Sequence, residues 1–380
     1  MRNLNSYDEW SDLKEVIVGS AENYLSHSRD LSFDTFYHEN LYRSDWAYPR
    51  LKQAAPSHDY KVGISEKYVA ELNEDVEGFA ATLTRLGVQV HRPLALAADA
   101  PPISGLGWDA PPVPALNIRD NTLILGTEII ETPPAIRSRY LETRLLSPIF
   151  RKYFDLGARW STMPRPILND SSFDLSYSQD PTSTLGGPTE PIISPKASPY
   201  DCGYEMLLDG AQCLRLGRVI IVNVSTENHL SAFTWLSRHL SPTFRLHKVY
   251  RMSDNHIDSM LLALKPGVFL ARHAGIRELM PTAFRNWHYI VPPEPDAKSF
   301  PSYDESHLVL TSPYIDMNVL SISPQTIVAN ENCRGLINAL ESEGFDVVPV
   351  RHRHRRLFGG GFHCFTLDTV RTGGLEDYAS

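Results

Sequence analysis

Apolar positions follow two rhythms along the chain. Short β-branched runs occur at residues 15–19 (EVIVG), 122–126 (TLILG), 219–223 (VIIVN), 267–271 (GVFLA) and 326–330 (TIVAN). After a gap of varying length, each is followed by a stretch with helix-like spacing and then by a second short strand. The clearest stretch is 65–86, where Val69, Leu72, Val76, Phe79, Ala80, Leu83 and Leu86 fall on one helical face. Gly87 is placed to stop that helix, and VQVHRP follows. Residues 226–240 repeat the pattern with Leu230, Phe233, Leu236 and Leu240, followed by FRLHKV. Residues 331–343 repeat it again with Leu336, Ile337 and Leu340, then Gly344 and FDVVPV. Fainter versions at 141–153 and 276–287 end near Pro164 and Pro292.

The segments therefore read as one strand–helix–strand unit written five times. A single unit has an apolar face that it cannot bury alone, and five could bury theirs around a shared centre. An ordinary α/β domain with a smaller companion fits the pattern equally well. Two long stretches interrupt the units and read as no element. Residues 25–64 are polar and aromatic-rich, and 166–199 are rich in Ser, Thr, Pro, Asp and Gly. Connections this long usually build a site or a cover over one end of a domain, or pack against a partner subunit.

Composition narrows the function classes. Lys plus Arg is 36 and Asp plus Glu is 45, a formal net charge of −9, which argues against a chain that works on nucleic acid or anionic lipid. The basic run at 351–356 (RHRHRR) looks like a nucleic-acid patch, but no aromatic platform interleaves it. It reads better as a solvated loop or as support for nearby acidic groups. No apolar run is long enough to span a bilayer, and the first residues lack the basic and apolar pattern of a signal peptide. Cys202, Cys213, Cys333 and Cys364 form no CxxC pair, so a cytosolic protein without disulfides or a metal site is expected.

Four places carry candidate chemistry. In LFGGGFHCFTLD three glycines precede His363 and Cys364. Glycines let the backbone come close to a ligand, and a thiol after them is a possible nucleophile if its pKa is lowered; a buried, inert cysteine is the bland reading. His363, adjacent in sequence, would point the opposite way in an extended segment and is a poor partner base. In HIDS, His256 and Asp258 would share one face of a strand and could act as proton carrier and cation anchor. Asp120 in NIRDNTLILG and Asp209 in LLDGAQ precede apolar strands, where a lone carboxylate is costly unless paired. Either could instead be a turn residue satisfied by its own backbone.

Together these residues resemble the arginine:acceptor amidinotransferases, the family of glycine and inosamine-phosphate amidinotransferases. The resemblance runs over nearly the whole chain, through DEWSDLKEVIVG, NIRDNTLILG, LLDGAQCLRLGRVIIV, HIDSMLLAL, MNVL and GGGFHCFTLDTVR. It implies an α/β fold, a five-bladed pseudo-fivefold α/β propeller of the pentein type, as one catalytic domain over residues 1–380. It implies Cys364 as nucleophile, His256 as acid/base and Asp209 as its orienting carboxylate, with Asp120 and Asp258 holding the guanidinium. It implies an amidino-cysteine intermediate, L-arginine as donor, an amine as acceptor, L-ornithine as product, and neither organic cofactor nor metal. A homodimer is expected on the same ground. Three positions depart from the mitochondrial glycine enzymes. Gly275 stands where those have a carboxylate-gripping arginine, which Arg277 or Arg272 would replace. Asn255 stands where they have methionine, and Ser312 falls on a substrate-pocket serine. The acceptor is therefore open among lysine, an aminocyclitol phosphate, glycine and similar amines. A guanidino hydrolase using water is the competing activity.

Overall fold

The computed structural model describes residues 2–37, 60–174, 202–253, 256–303 and 307–379. Asn255 and much of the two long stretches, 38–59 and 175–199, lie outside the described residues.

Five three-stranded sheets organise the described chain. Each has the same build: a first strand antiparallel to a second, which runs parallel to a third across a helical crossover. The sheet that starts the chain pairs β1 (Leu13–Val18) with β4 (Gln89–His91) on one side and with the C-terminal β17 (Thr366–Arg371) on the other. The others are β5 (Thr122–Leu125), β6 (Glu128–Glu131) and β7 (Arg159–Thr162); then β8 (Cys213–Leu216), β9 (Val219–Val224) and β10 (Arg245–Tyr250). Next come β11 (Leu261–Lys265), β12 (Val268–Ala271) and β13 (His288–Ile290), and finally β14 (Leu320–Ser321), β15 (Thr326–Asn330) and β16 (Asp346–Val350).

The first strands close a ring. Arg215 of β8 donates to the Ile124 carbonyl of β5 and to Asp368 of β17. Arg371 of β17 donates to the Ser321 carbonyl of β14, and Ser321 Oγ donates to Leu264 of β11. β11 packs on β8 and β17 on β5, which completes the circle. The propeller reading is thus correct, although each unit has one strand more than the strand–helix–strand pattern of the sequence shows. The run at 122–126 is a first strand, whereas its counterparts at 15–19, 219–223, 267–271 and 326–330 are second strands. Two of the first strands are hidden in the sequence by charge: β17 reads TLDTVR and β8 reads CLRL, yet every residue in both is buried. Their charges are matched inside the ring. Asp368 takes hydrogen bonds from Arg119 (2.7 Å), Arg215 (2.8 Å) and Arg371 (2.7 Å), and Arg215 also grips Glu9 (2.6 Å).

The crossover helices follow the apolar stripes. The longest spans Glu66–Arg85 and buries Leu72, Val76, Phe79, Ala80 and Leu83 against β1 and β15 neighbours. Gly87, at φ +82°, closes it with Val88 N–H on the Leu83 carbonyl. Glu227–Leu240 is capped by Thr226, whose side chain accepts from His229 N–H, and Arg334–Ser342 ends before Gly344 at φ +82°. The two faint stretches are shorter than expected. Residues 141–153 begin as a 3-10 turn and become helical only at Ser147–Asp155. Residues 276–287 divide into Ile276–Leu279 and Thr282–Arg285, because Pro281 cannot continue the first helix.

The stretch at 25–64 also contains elements that the sequence did not reveal. β2 (Ser26–Arg29) pairs with β3 (Tyr60–Gly63), and α1 (Leu31–Phe36) follows β2, capped by Asp30. The basic run 351–356 supports nearby acidic groups, most of them on the long helix. Arg351 and Arg353 both bond Asp75, His354 bonds Glu71, and Arg355 bonds Asp316.

Candidate active site

Each of the five first strands is entered through a short bend, and each bend delivers one polar side chain to the same end of the ring. Asp120 precedes β5, Asp209 precedes β8, Asp258 precedes β11, Asn318 precedes β14 and Cys364 precedes β17. Pseudo-fivefold symmetry therefore gathers residues that lie hundreds of positions apart.

The reactive atoms of Asp120, His256 and Cys364 all lie within 4.8 Å of one another. Residues 257–259 form a 3-10 turn rather than a strand, so His256 and Asp258 do not share one face as expected. His256 Nε2 meets Asp209 Oδ2 at 2.8 Å, and its Nδ1 lies 3.8 Å from Asp120 Oδ1. Asp258 Oδ2 is engaged elsewhere: by His363 Nδ1 at 2.7 Å, by Asn318 Nδ2 at 3.0 Å and by the Cys364 thiol at 3.4 Å. Asp209 is more than a turn residue. Gln212 Oε1 accepts from its backbone N–H in a capping box, and its carboxylate Oδ2 meets His256 Nε2. Asp120 is likewise held by a cation, Arg139, at 2.5 Å, and Arg139 also bonds Glu142.

The electrostatics follow from burial and these partners. Burial alone would push His256 down, but the carboxylates of Asp120 and Asp209 outweigh it and raise its pKa to about 9. Burial and then Asp258 and Asp120 push the Cys364 thiol well above its ordinary range. Burial also raises Asp120, although His256 and Arg139 draw it back. The free site thus pairs an imidazolium with a neutral thiol. Asp120, Asp209 and Asp258 each keep one buried oxygen, Oδ1, without a hydrogen-bond partner among the described residues. Such atoms are costly unless a donor meets them, so this is a site for a cation.

The glycines before Cys364 fit around these side chains. A Cβ on Gly360 would run into Asn117 Oδ1, and one on Gly361 would lie 2.6 Å from Asn318 Cβ. Asn318 Oδ1 accepts from Cys364 N–H at 2.9 Å while its Nδ2 serves Asp258, so this one amide ties nucleophile to carboxylate. In the sequence it stands within the MNVL motif. Gly361→Ala is expected to displace Asn318 and lower kcat/KM by about 10- to 100-fold, the rate equivalent of a 1–3 kcal/mol overpacking; steady-state kinetics beside a circular-dichroism melt would check it.

The part of the first long stretch that is described lies over this centre. Phe36 sets its ring edge toward His256, with centroids 5.3 Å apart, and Tyr37 lines a small cleft with Asn117, Arg139 and Glu142.

No family model matches the chain. Individual proteins do. The chain is 31% identical to inosamine-phosphate amidinotransferase 1 of Streptomyces glaucescens over 377 residues, 99% of each chain. The chain belongs to the arginine:amine amidinotransferase family. The amidinotransferase is also 31% identical to the L-arginine:L-lysine amidinotransferase of Pseudomonas savastanoi pv. phaseolicola, covering 98% of this chain and 96% of that one. The solved inosamine-phosphate amidinotransferase of Streptomyces griseus superposes with a TM-score of 0.80 at 30% identity, over the whole of both chains. The fold and the Cys–His–Asp cluster are those of an amidino-transferring enzyme, and the substrates it handles are small molecules. No helix among the described residues is long and apolar enough to cross a membrane.

The two arginines considered for the amidinotransferase's donor carboxylate lie in different places. Arg277 is exposed and lies over the Tyr289 ring of β13, the strand of its sheet farthest from β11. Arg272 is half-buried over Tyr314, 4.4 Å from the ring centroid, and donates to Met260 Sδ directly after the His256–Asp258 turn. Ser312 immediately precedes the adjoining 3-10 turn Pro313–Met317 that leads into Asn318, and its side chain makes no capping hydrogen bond there.

Proposed function

We propose that the enzyme moves the amidino group of L-arginine through a covalent amidino-cysteine at Cys364 to a small primary amine, releasing L-ornithine. The observation that carries this reading is the convergence of Cys364, His256 and Asp120 within 4.8 Å, with one buried carboxylate oxygen each on Asp120, Asp209 and Asp258 that accepts no hydrogen bond among the described residues. A guanidinium presents five donors in one plane, which suits the free oxygens of Asp120 and Asp258. Its positive charge beside the sulfur favours the thiolate, so the thiol proton leaves for solvent as the cation enters. The thiolate attacks the central carbon and forms the C–S bond. His256, already protonated, gives its proton to the departing nitrogen as the C–N bond breaks, and ornithine leaves. The acceptor nitrogen then attacks the amidino carbon, neutral His256 takes its proton, and the thiolate is the leaving group. Asp209 keeps the imidazole oriented throughout.

The whole chain, residues 1–380, acts as one catalytic unit in this reading, supported by the end-to-end superposition on the Streptomyces griseus enzyme. All four cysteines are free thiols, which suits a reducing cytosol. Relatives named for inosamine phosphate and for lysine stand at the same 31% identity, so similarity does not choose the acceptor. The test is arginine incubated with a panel of lysine, glycine and aminocyclitol phosphates. Ornithine released in step with a guanidinylated amine supports the reading, and citrulline made without any amine would replace it with a hydrolase.

For the donor's α-carboxylate, Arg272 with Ser312 is the proposed grip. No carboxylate pairs with Arg272 among the described residues. Arg272→Ala is expected to raise the arginine KM about 10- to 100-fold, the worth of a charge-assisted pair. Arg277→Ala should leave it unchanged. The opposite ranking in steady-state kinetics would assign the carboxylate to Arg277.

A further inference from the structure

His363 is the neighbour of the nucleophile, yet its ring faces two other groups. Nδ1 lies 2.7 Å from Asp258 Oδ2 and Nε2 lies 3.3 Å from Glu9 Oε2, with all three side chains buried. An ionised carboxylate only accepts hydrogen bonds, so an imidazole set between two of them donates from both nitrogens and carries a positive charge. Glu9 does not turn to meet it freely. Arg215 holds both its oxygens, at 2.8 and 2.6 Å, Arg119 approaches at 3.5 Å, and Asp368 ties these arginines to Arg371. Arg119 Nε also donates to the His363 carbonyl at 2.9 Å. The central ion network of the ring therefore ends on the His363 ring, and the ring ends on Asp258.

We infer that His363 is a positioning residue that fixes the ionised Asp258 carboxylate so that its second oxygen is presented to the donor's guanidinium. This rests on the proposed role of Asp258 in arginine binding. Oδ2 is consumed by His363, Asn318 and the Cys364 thiol, which sets the rotation of the carboxylate and leaves Oδ1 buried and unpartnered. The charge is as important as the rotation. Burial would raise Asp258, and His363, with His256 and Asn318, holds it below its ordinary value instead. The ionisable groups facing this carboxylate are His363, His256 and Cys364, with Asp120 across the sulfur and Glu9 behind the His363 ring. Without the His363 cation, burial would dominate and Asp258 would take up a proton at a higher pH.

The test uses the full-length enzyme with His363→Gln and His363→Asn. The asparagine Nδ2 occupies the position of imidazole Nδ1, so it restores the donor to Asp258 without the charge. At neutral pH, His363→Gln is expected to lower kcat/KM for arginine on the order of 10- to 100-fold, and His363→Asn to recover part of that loss. In both variants the acidic limb of kcat/KM for arginine should move to higher pH than in the wild type. Wild-type profiles in both variants would overturn the inference. So would an equal loss at every pH with a lowered unfolding temperature and no recovery in His363→Asn. Wild-type enzyme that never forms an amidino adduct from arginine would instead fail the proposed function, so the two outcomes are distinguishable.

Discussion

Cys364→Ala is expected to reduce ornithine release by about four orders of magnitude or more, because among the described residues Cys364 is the thiol beside Asp120 and His256 that can form the covalent intermediate. The fold should survive, since the change removes one sulfur from a large apolar cluster that includes Leu116, Leu357, Phe358 and Phe365. Wild-type enzyme given arginine and no acceptor should gain the mass of one amidino group on the peptide containing Cys364, and the variant should gain none. The free enzyme's thiol adds a second expectation. Burial, Asp258 and Asp120 hold it protonated, so iodoacetamide at neutral pH should label exposed Cys202 well before Cys364. Fast labelling of Cys364 without substrate would mean that the thiolate already exists and that arginine is not what creates it. A variant with wild-type turnover would remove Cys364 from the chemistry.

The sequence made some of this legible for identifiable reasons. The helix at Glu66–Arg85 is long, with its apolar residues on one stripe, so periodicity revealed it almost to the residue. The second strands of four sheets are continuous apolar runs because they are covered on both faces. The first strands hid because a ring of paired charges lines their meeting place: Arg215, Asp368 and Arg371 read as solvent-facing until their partners are known. The site divides in the same way. Cys364, His256, Asp209, Asp120 and Asp258 sit in short motifs that the resemblance singled out. Asn318, His363 and Glu9 act through contacts across 46 to 354 positions, which no local pattern encodes. His363 is a poor base for Cys364 because of its position next to it, and in the structure its ring meets Asp258. Fivefold symmetry would have found Asn318: once four first strands each contribute a residue at their entrance, the entrance of β14 is the place for the fifth.

Removing the proton carrier should be nearly as damaging as removing the nucleophile, and the pH dependence is the sharper measurement. His256→Ala is expected to lower the rate of ornithine release on the order of 10²- to 10⁴-fold, the usual worth of a positioned general acid. The sign of the pH effect follows from its environment. As an acid, His256 must be protonated when the C–N bond breaks, so single-turnover ornithine release should hold below its pKa of about 9 and fall as pH rises through it. Burial presses that pKa down, and Asp120 and Asp209 raise it. Asp209→Asn removes one of the two charges while burial remains, so the alkaline limb should move to lower pH, by about one to two units toward the ordinary histidine value near 6.5. Asp120, 3.8 Å away, keeps the shift from going further. An alkaline limb that stays in place in Asp209→Asn would mean that a group other than His256 protonates the leaving amine. The acceptor half-reaction supplies the internal control: it begins with His256 neutral, because the first half-reaction has already consumed its proton, so its rate should not fall at the same limb. Two half-reactions with opposite demands on one imidazole explain why its pKa is set by two carboxylates on different blades rather than by burial alone.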